Sequence, residues 1–150
     1  MNPKRLLLAI VVIFPLVWVT DFLIHGVWLA SAYRETAELW RPENEMKARM
    51  GWLILGQFLW TATFVVVWAQ GFAAKGCLRC AALYGLCMGL FFETNTLIAY
   101  AVQPIPPLIA TEWFVVDVAR AVLMGLVLAG VYQPRRVAGS APVDLPPVKA

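Results

Sequence analysis

Apolar stretches alternate with short polar segments along this chain. Four of the apolar stretches are long, at approximately 6–33, 50–70, 78–102 and 107–132. A helix needs about 20 apolar residues to cross a hydrocarbon core of ~30 Å. These stretches are too long, and too lacking in alternation, for the strands of a membrane barrel. A spanning segment must also satisfy its own backbone hydrogen bonds. The pattern therefore predicts an all-α bundle of four transmembrane helices over residues 1–133.

The composition is that of a protein whose solvent is lipid. Hydrophobic residues make up 61% and charged residues 14% of the 150 residues, whereas soluble domains carry about 25% charged residues. The net charge is +3 with no basic stripe, so nothing supports nucleic-acid binding. The chain has one histidine, which excludes a haem held by two histidines of a single copy. We predict no cofactor and no metal site, and we expect the lipid bilayer as a partner.

The distribution of Lys and Arg predicts how the helices are oriented. With both termini inside, the cytoplasmic segments hold seven of these residues and the outer segments four. The positive-inside rule then favours an N-in, C-in topology. The first stretch is about twice as long as a signal-peptide core, so we expect an uncleaved first helix. The tail, 134–150, is rich in proline and polar residues, and we expect it to be disordered in the cytoplasm.

The first loop, "RETAELWRPENEMKAR", is the most charged part of the chain. Pro42 stands at a potential helix start, and Glu43 and Glu45 follow in what would be the first turn. A short amphipathic helix on the outer surface fits this pattern, with Trp40 among the lipid headgroups. A solvated connector fits it equally well.

Each predicted span carries a strong polar group in the outer half of the bilayer. Asp21 and His25 are four residues apart and share a helix face, and Asp117 and Arg120 are three apart and can pair. An unpaired charge at the bilayer centre costs at least about 2.5–3.5 kcal/mol, so groups at matched depth should face one another. The predicted polar cluster consists of Asp21, His25, Gln57, Glu93, Asn95, Asp117 and Arg120.

This cluster has two interpretations. It could be a buried ion network that fixes the register of the helices. It could instead bind a proton, a metal ion, a quinone or a polar lipid, because intramembrane ionisable groups are functional candidates by default. The sequence leaves both interpretations open.

Cysteines and glycines mark other parts of the spans. Cys77 and Cys80 form a CxxC pair without a thioredoxin-like setting. On a reducing cytoplasmic side we expect structural thiols rather than a stable disulfide. Gly85, Gly89 and Gly125 allow helices to approach closely. They predict either a tight bundle or a contact with another membrane subunit or a second copy of the chain.

Several segments together resemble uncharacterised small four-helix bacterial integral membrane proteins. They are "DFLIHGVWLASAY", "LWRPENEM", the glycine-rich third span and "YAVQPIPPLIATEW". The resemblance covers about residues 6–133. It implies the same architecture and a multi-pass location in the bacterial inner membrane, and it supplies no catalytic residue.

Three functions are compatible with these features. The sequence has no ATP-binding loop, nucleophile elbow, HExxH or haem-attachment motif, so an enzyme acting alone is not expected. The first hypothesis is an accessory or structural subunit that packs against a larger membrane complex. The second is a small dimeric transporter, or a protein that binds a ligand or proton through the polar cluster. The third is a quinone-linked redox helper in which Asp21 and His25 accept or relay protons.

Overall fold

Every regular element in the described residues, 2–73 and 77–132, is helical in this computed structural model. Six α-helices, two π-helical segments and one 3₁₀ turn follow one another within those ranges. In order they are α1 (Pro3–Asp21) with a π-helical continuation (Phe22–Trp28), α2 (Ala30–Glu35), a 3₁₀ turn (Ala37–Leu39), α3 (Glu43–Ala48), α4 (Met50–Val67) with a second π-helical continuation (Trp68–Phe72), α5 (Leu78–Val102) and α6 (Pro107–Val131). The predicted all-α fold is confirmed, and the first loop contains a short helix.

Four helical segments are long and apolar enough to cross a membrane, which fits a multi-pass membrane protein. They are Pro3–Trp28, Met50–Phe72, Leu78–Val102 and Pro107–Val131. They agree with the predicted stretches, except that the first span ends at Trp28 and Tyr33 lies beyond it in α2. The tail predicted at 134–150 lies outside the described residues.

The core lies where the four long helices meet. Helix α1 packs between α4 and α6, and α6 packs along α5. Ile13, Phe64 and Met124, from α1, α4 and α6, are completely buried. Tyr84 of α5 donates a hydrogen bond to the carbonyl oxygen of Phe64, which joins α5 to α4. This apolar core fills the half of the bundle farther from α3, and the opposite half, the α3 end, contains Asp21.

Helices α5 and α6 approach each other most closely where glycines remove the side chain. A Cβ atom added at Gly85 would lie 2.5 Å from the carbonyl oxygen of Ala121. One added at Gly125 would lie 2.5 Å from the carbonyl oxygen of Ala81, and one at Gly89 would lie 3.0 Å from the Cβ of Ala121. The three glycines therefore serve the tight bundle, the first of their two predicted uses. The surfaces of α5 and α6 at these glycines are covered by each other, within the same chain.

Candidate functional site

Asp21 is the centre of a polar network that joins three spanning helices. Its Oδ2 atom accepts a hydrogen bond from Gln57 Nε2 of α4 at 2.6 Å. Its Oδ1 atom accepts a charge-assisted hydrogen bond from Nη1 of Arg120 on α6. Both carboxylate oxygens are engaged, so the Asp21 side chain ties α1 to α4 and to α6.

Arg120 connects two carboxylates. While Nη1 contacts Asp21, Nη2 lies 2.9 Å from Oδ1 of Asp117, three residues earlier on α6. The guanidinium carbon lies 6.0 Å from the ring centroid of Trp60, which is within cation–π range. One guanidinium shared by two ionised carboxylates leaves one excess negative charge. A proton or a positively charged group at this site would neutralise that charge.

His25 extends the network towards α2. Its Nε2 atom lies 3.7 Å from Asp21 Oδ1, and its Nδ1 atom lies 2.6 Å from Tyr33 Oη. The Tyr33 oxygen also accepts a hydrogen bond from Trp113 Nε1 at 2.6 Å. Because an indole N–H can only donate, the hydroxyl proton of Tyr33 is available for Nδ1 of a neutral imidazole. The ring proton is then on Nε2, facing Asp21.

The position of His25 depends on local backbone geometry. It lies inside the π-helical segment Phe22–Trp28, where Leu29 N–H bonds the carbonyl oxygen of Ile24, five residues earlier. π-Helical turns are rare and often occur at functional sites. Here the wider turn carries His25 between Asp21 and α2.

Aromatic side chains hold Tyr33 in place. The ring centroid of Tyr33 lies 5.4 Å from that of Trp40, and that of Trp40 lies 5.7 Å from that of Trp113. Trp40 Nε1 donates to Thr36 Oγ1 at 2.9 Å. Burial raises the pKa of Tyr33 to about 12, although the hydrogen bond from Trp113 opposes this shift. Tyr33 therefore remains a protonated donor at neutral pH. Trp40 packs on these rings, and its position among the lipid headgroups stays a prediction.

Asp21 and His25 line a groove of about 1070 Å³ between α1 and the α3–α4 segment. Their side chains are 24% and 31% exposed. The other walls are mostly apolar, and charged residues of the first loop lie at one end of the groove. Representative lining residues are Trp18, Phe22, Leu53, Arg41, Lys47 and Arg49.

The cations at this end of the groove are already engaged by carboxylates. Lys47 Nζ lies 2.7 Å from Glu43 Oε1, and the hydrogen bond from Lys47 lowers the pKa of Glu43. Arg41 and Arg49 both contact Oε2 of Glu45, at 3.5 and 3.3 Å. The end of the groove near α3 is thus mixed in charge rather than a strong anion site.

Five of the seven predicted cluster residues are in direct contact: Asp21, His25, Gln57, Asp117 and Arg120. Glu93 is buried, with 8% exposure, and accepts a hydrogen bond from Thr96 Oγ1 at 2.6 Å. It experiences the charges of Asp117 and Arg120, although the described residues show no direct bond between them. Glu93 therefore borders the network without joining it.

The prediction is wrong for Asn95. Its side chain is exposed, and α5 continues as a regular helix through "ETNT". Two residues along an α-helix rotate a side chain by ~200°, so Asn95 points away from the bundle when Glu93 points into it. Matched depth placed both residues in the cluster, but depth carries no information about direction around the helix.

Two residues of the network were not predicted as site residues, Tyr33 and Trp113. Aromatic residues near a membrane boundary are usually interfacial anchors. That role alone accounts for Tyr33 and Trp113 in the sequence, so neither residue was assigned to a site. A signal was nevertheless present, because Trp113, Asp117 and Arg120 are spaced four and three residues apart and share one face of α6.

The CxxC pair is separate from this site. Cys77 and Cys80 lie at the start of α5 and form no disulfide with each other, and they are ~20–24 Å along the helix from Glu93. Cys77 Sγ accepts a hydrogen bond from the backbone N–H of Cys80 at 3.1 Å and so caps the start of α5. The hydrogen bond from the Cys80 side chain lowers the pKa of Cys77. Within the described ranges, no group of three or more His, Cys, Asp or Glu residues could hold a metal ion.

Comparison with known proteins adds no family to this description. No protein-family model, curated protein or solved structure matches the chain. The resemblance to small four-helix bacterial membrane proteins is confirmed only as far as the four apolar helices.

Proposed function

We propose that this chain is a membrane-embedded binding protein for an amphiphilic molecule that enters the groove from the bilayer. The observation that supports it is the pair Asp21 and His25 in the wall of a large groove between α1 and α4, whose lining is mostly apolar away from the charged residues at its α3 end. Intramembrane ionisable residues that face a cavity commonly mark ligand or ion sites. This is the ligand-binding hypothesis, narrowed to one groove.

The shape of the groove favours an amphiphile. Small-molecule sites have volumes of about 300–1,000 Å³ and are mainly apolar, with a few polar groups that orient the ligand. A groove of about 1070 Å³ accommodates a polar head and part of an acyl or prenyl chain. The head would lie at His25 and Asp21, and the chain would lie along Trp18, Phe22 and Leu53.

The charge of the network favours particular head groups. Asp21 and Asp117 share Arg120, so the site has more negative than positive charge when both carboxylates are ionised. A head that donates hydrogen bonds or carries a positive charge, such as a hydroxyl or an amine, suits this environment better than a phosphate. A quinol, with two hydroxyl groups, falls in this class and would connect the site to the predicted redox role.

Filling the groove is expected to displace the ligand. Leu53 lines the groove and Ile54, its neighbour, does not, although both side chains are substantially exposed. We expect Leu53→Trp to lower the amount of bound ligand by at least about tenfold, since the indole would occupy the space of the ligand's apolar chain. Ile54→Trp is expected to leave the amount of bound ligand unchanged. Native mass spectrometry of protein gently extracted from its own membrane measures the retained mass.

Either of two results would contradict the binding proposal. One is the absence of any bound mass on the wild-type protein, and the other is equal retention by Leu53→Trp and Ile54→Trp. Release at fixed stoichiometry with other proteins, and without a small ligand, would favour the accessory-subunit hypothesis instead. The identity of a bound mass would also test whether the ligand is a quinol.

The proposal includes the predicted location and orientation. A bacterial inner membrane with both chain termini inside would put the groove in the outer half of the bilayer. The ligand would then exchange with the outer leaflet. The distribution of Lys and Arg along the chain supports this orientation.

A further inference from the structure

Asn95 is a polar side chain on the outer surface of the bundle. It is exposed, and its amide makes no hydrogen bond with the rest of the described chain. It lies seven residues before Val102, the end of α5, which corresponds to ~10 Å along the helix axis. Helix α5 has 25 residues and is ~37 Å long, whereas the hydrocarbon core is ~30 Å thick. Asn95 therefore lies within the hydrocarbon, where an amide without a partner is costly.

The residues around Asn95 form a continuous exposed surface, here called the α5 stripe: Cys87, Phe91, Asn95, Ile98 and Val102. Their spacings of four, four, three and four residues place them on one side of the helix. Phe91, Ile98 and Val102 are 69%, 61% and 75% exposed, and Cys87 is also exposed. The stripe is thus an apolar strip with one amide near its centre.

The opposite side of α5 is already occupied. Gly85 and Gly89 pack against α6, and the buried side of the helix continues to Glu93. The α5 stripe follows two residues later at each turn, a rotation of ~200°. The glycines are therefore not available to a partner, and a partner of α5 would have to contact the α5 stripe instead.

We infer that two copies of this chain associate in parallel through the α5 stripe, with their Asn95 amides hydrogen-bonded across a twofold axis. A carboxamide both donates and accepts, so two asparagines at the same depth satisfy each other. A twofold interface brings each surface against its own copy. A second copy therefore supplies the matching amide at the required depth, and asparagine is one of the side chains that join helices in membranes.

The native cysteines provide a direct test. Cys87 lies eight residues before Asn95 on the same stripe, so a parallel pair brings the two Cys87 thiols near the twofold axis. The chain has three cysteines. Substituting Cys77→Ser and Cys80→Ser leaves Cys87 as the single thiol in the full-length protein. Oxidation in intact membranes is then expected to give a covalent dimer.

A matched pair of variants tests the role of the amide. Thr94 is exposed next to Asn95, but its hydroxyl already donates to the carbonyl oxygen of Phe91 at 2.7 Å. We expect Asn95→Leu to raise the dimer dissociation constant about tenfold and to reduce cross-linking correspondingly. Thr94→Val is expected to change neither.

Three results would overturn the dimer. They are the absence of a Cys87 cross-link between copies, cross-linking of Cys87 mainly to a different protein, and equal dimerisation of Asn95→Leu and Thr94→Val. Circular dichroism of each variant establishes that its helices are intact. The inference does not depend on ligand binding in the groove, since the α5 stripe and the groove lie on different helices.

Discussion

Replacing Arg120 by methionine is expected to lower the free energy of unfolding by about 3–5 kcal/mol. Arg120 pairs with both Asp21 and Asp117, and all three side chains are largely shielded from the surface. Methionine has a similar length but no charge, so the substitution would leave two carboxylates close together with no guanidinium between them. Removing one partner of a shielded ion network is far more costly than removing an exposed charge.

Unfolding in mixed micelles, followed by circular dichroism as the denaturing detergent increases, measures this change. The control is Ala119→Met, which introduces the same side chain at an exposed position next to Arg120. Its effect is expected to stay within about 0.5 kcal/mol. Equal stabilities for the two variants would show that the Arg120 network does not hold α1 and α6 together.

Replacing Gly125 by alanine is expected to cost about 1–3 kcal/mol. The added Cβ would lie 2.5 Å from the carbonyl oxygen of Ala81. The obstacle is backbone rather than a flexible side chain, so α5 and α6 would have to separate. Their separation would also weaken the neighbouring contacts at Gly85 and Gly89.

Gly130 provides the control on the same helix. Apart from its own stretch of helix, no atom of the described residues lies within 4 Å of a Cβ built at Gly130, so Gly130→Ala adds a methyl group in open space. Alanine favours the helix over glycine by up to ~1 kcal/mol, and we expect no loss of stability. The same unfolding measurement compares the two variants. Equal effects at Gly125 and Gly130 would contradict the close α5–α6 contact.

The four spans were predictable because hydrophobic run length alone determines them. The predicted boundaries at Met50, Leu78 and Pro107 coincide with helix starts. The π-helical segment Phe22–Trp28 was not predictable. Its defining hydrogen bond runs from Leu29 N–H to the carbonyl oxygen of Ile24, and no simple pattern of apolar residues in the sequence indicates such a bond. That local geometry ends the first span at Trp28 and sets the position of His25.

The site was predictable only as far as depth determines it. Matched depth correctly brought Asp21, Gln57 and Arg120 together, since polar groups in lipid must find one another. It failed for Asn95, where four consecutive polar residues leave the direction of each undetermined. The groove itself could not be predicted, because it depends on how α3 and α4 lie beside α1.

Solid-state ¹⁵N NMR of His25 in bilayers tests the binding proposal most directly. It is the only histidine in the chain, so a histidine label reports this site alone. We expect the Nε2 resonance, which faces Asp21 and the groove, to shift between pure phosphatidylcholine and a lipid extract of the native membrane. Nδ1, bound to Tyr33 Oη, should shift less. Identical spectra in the two bilayers would contradict a ligand site at Asp21 and His25.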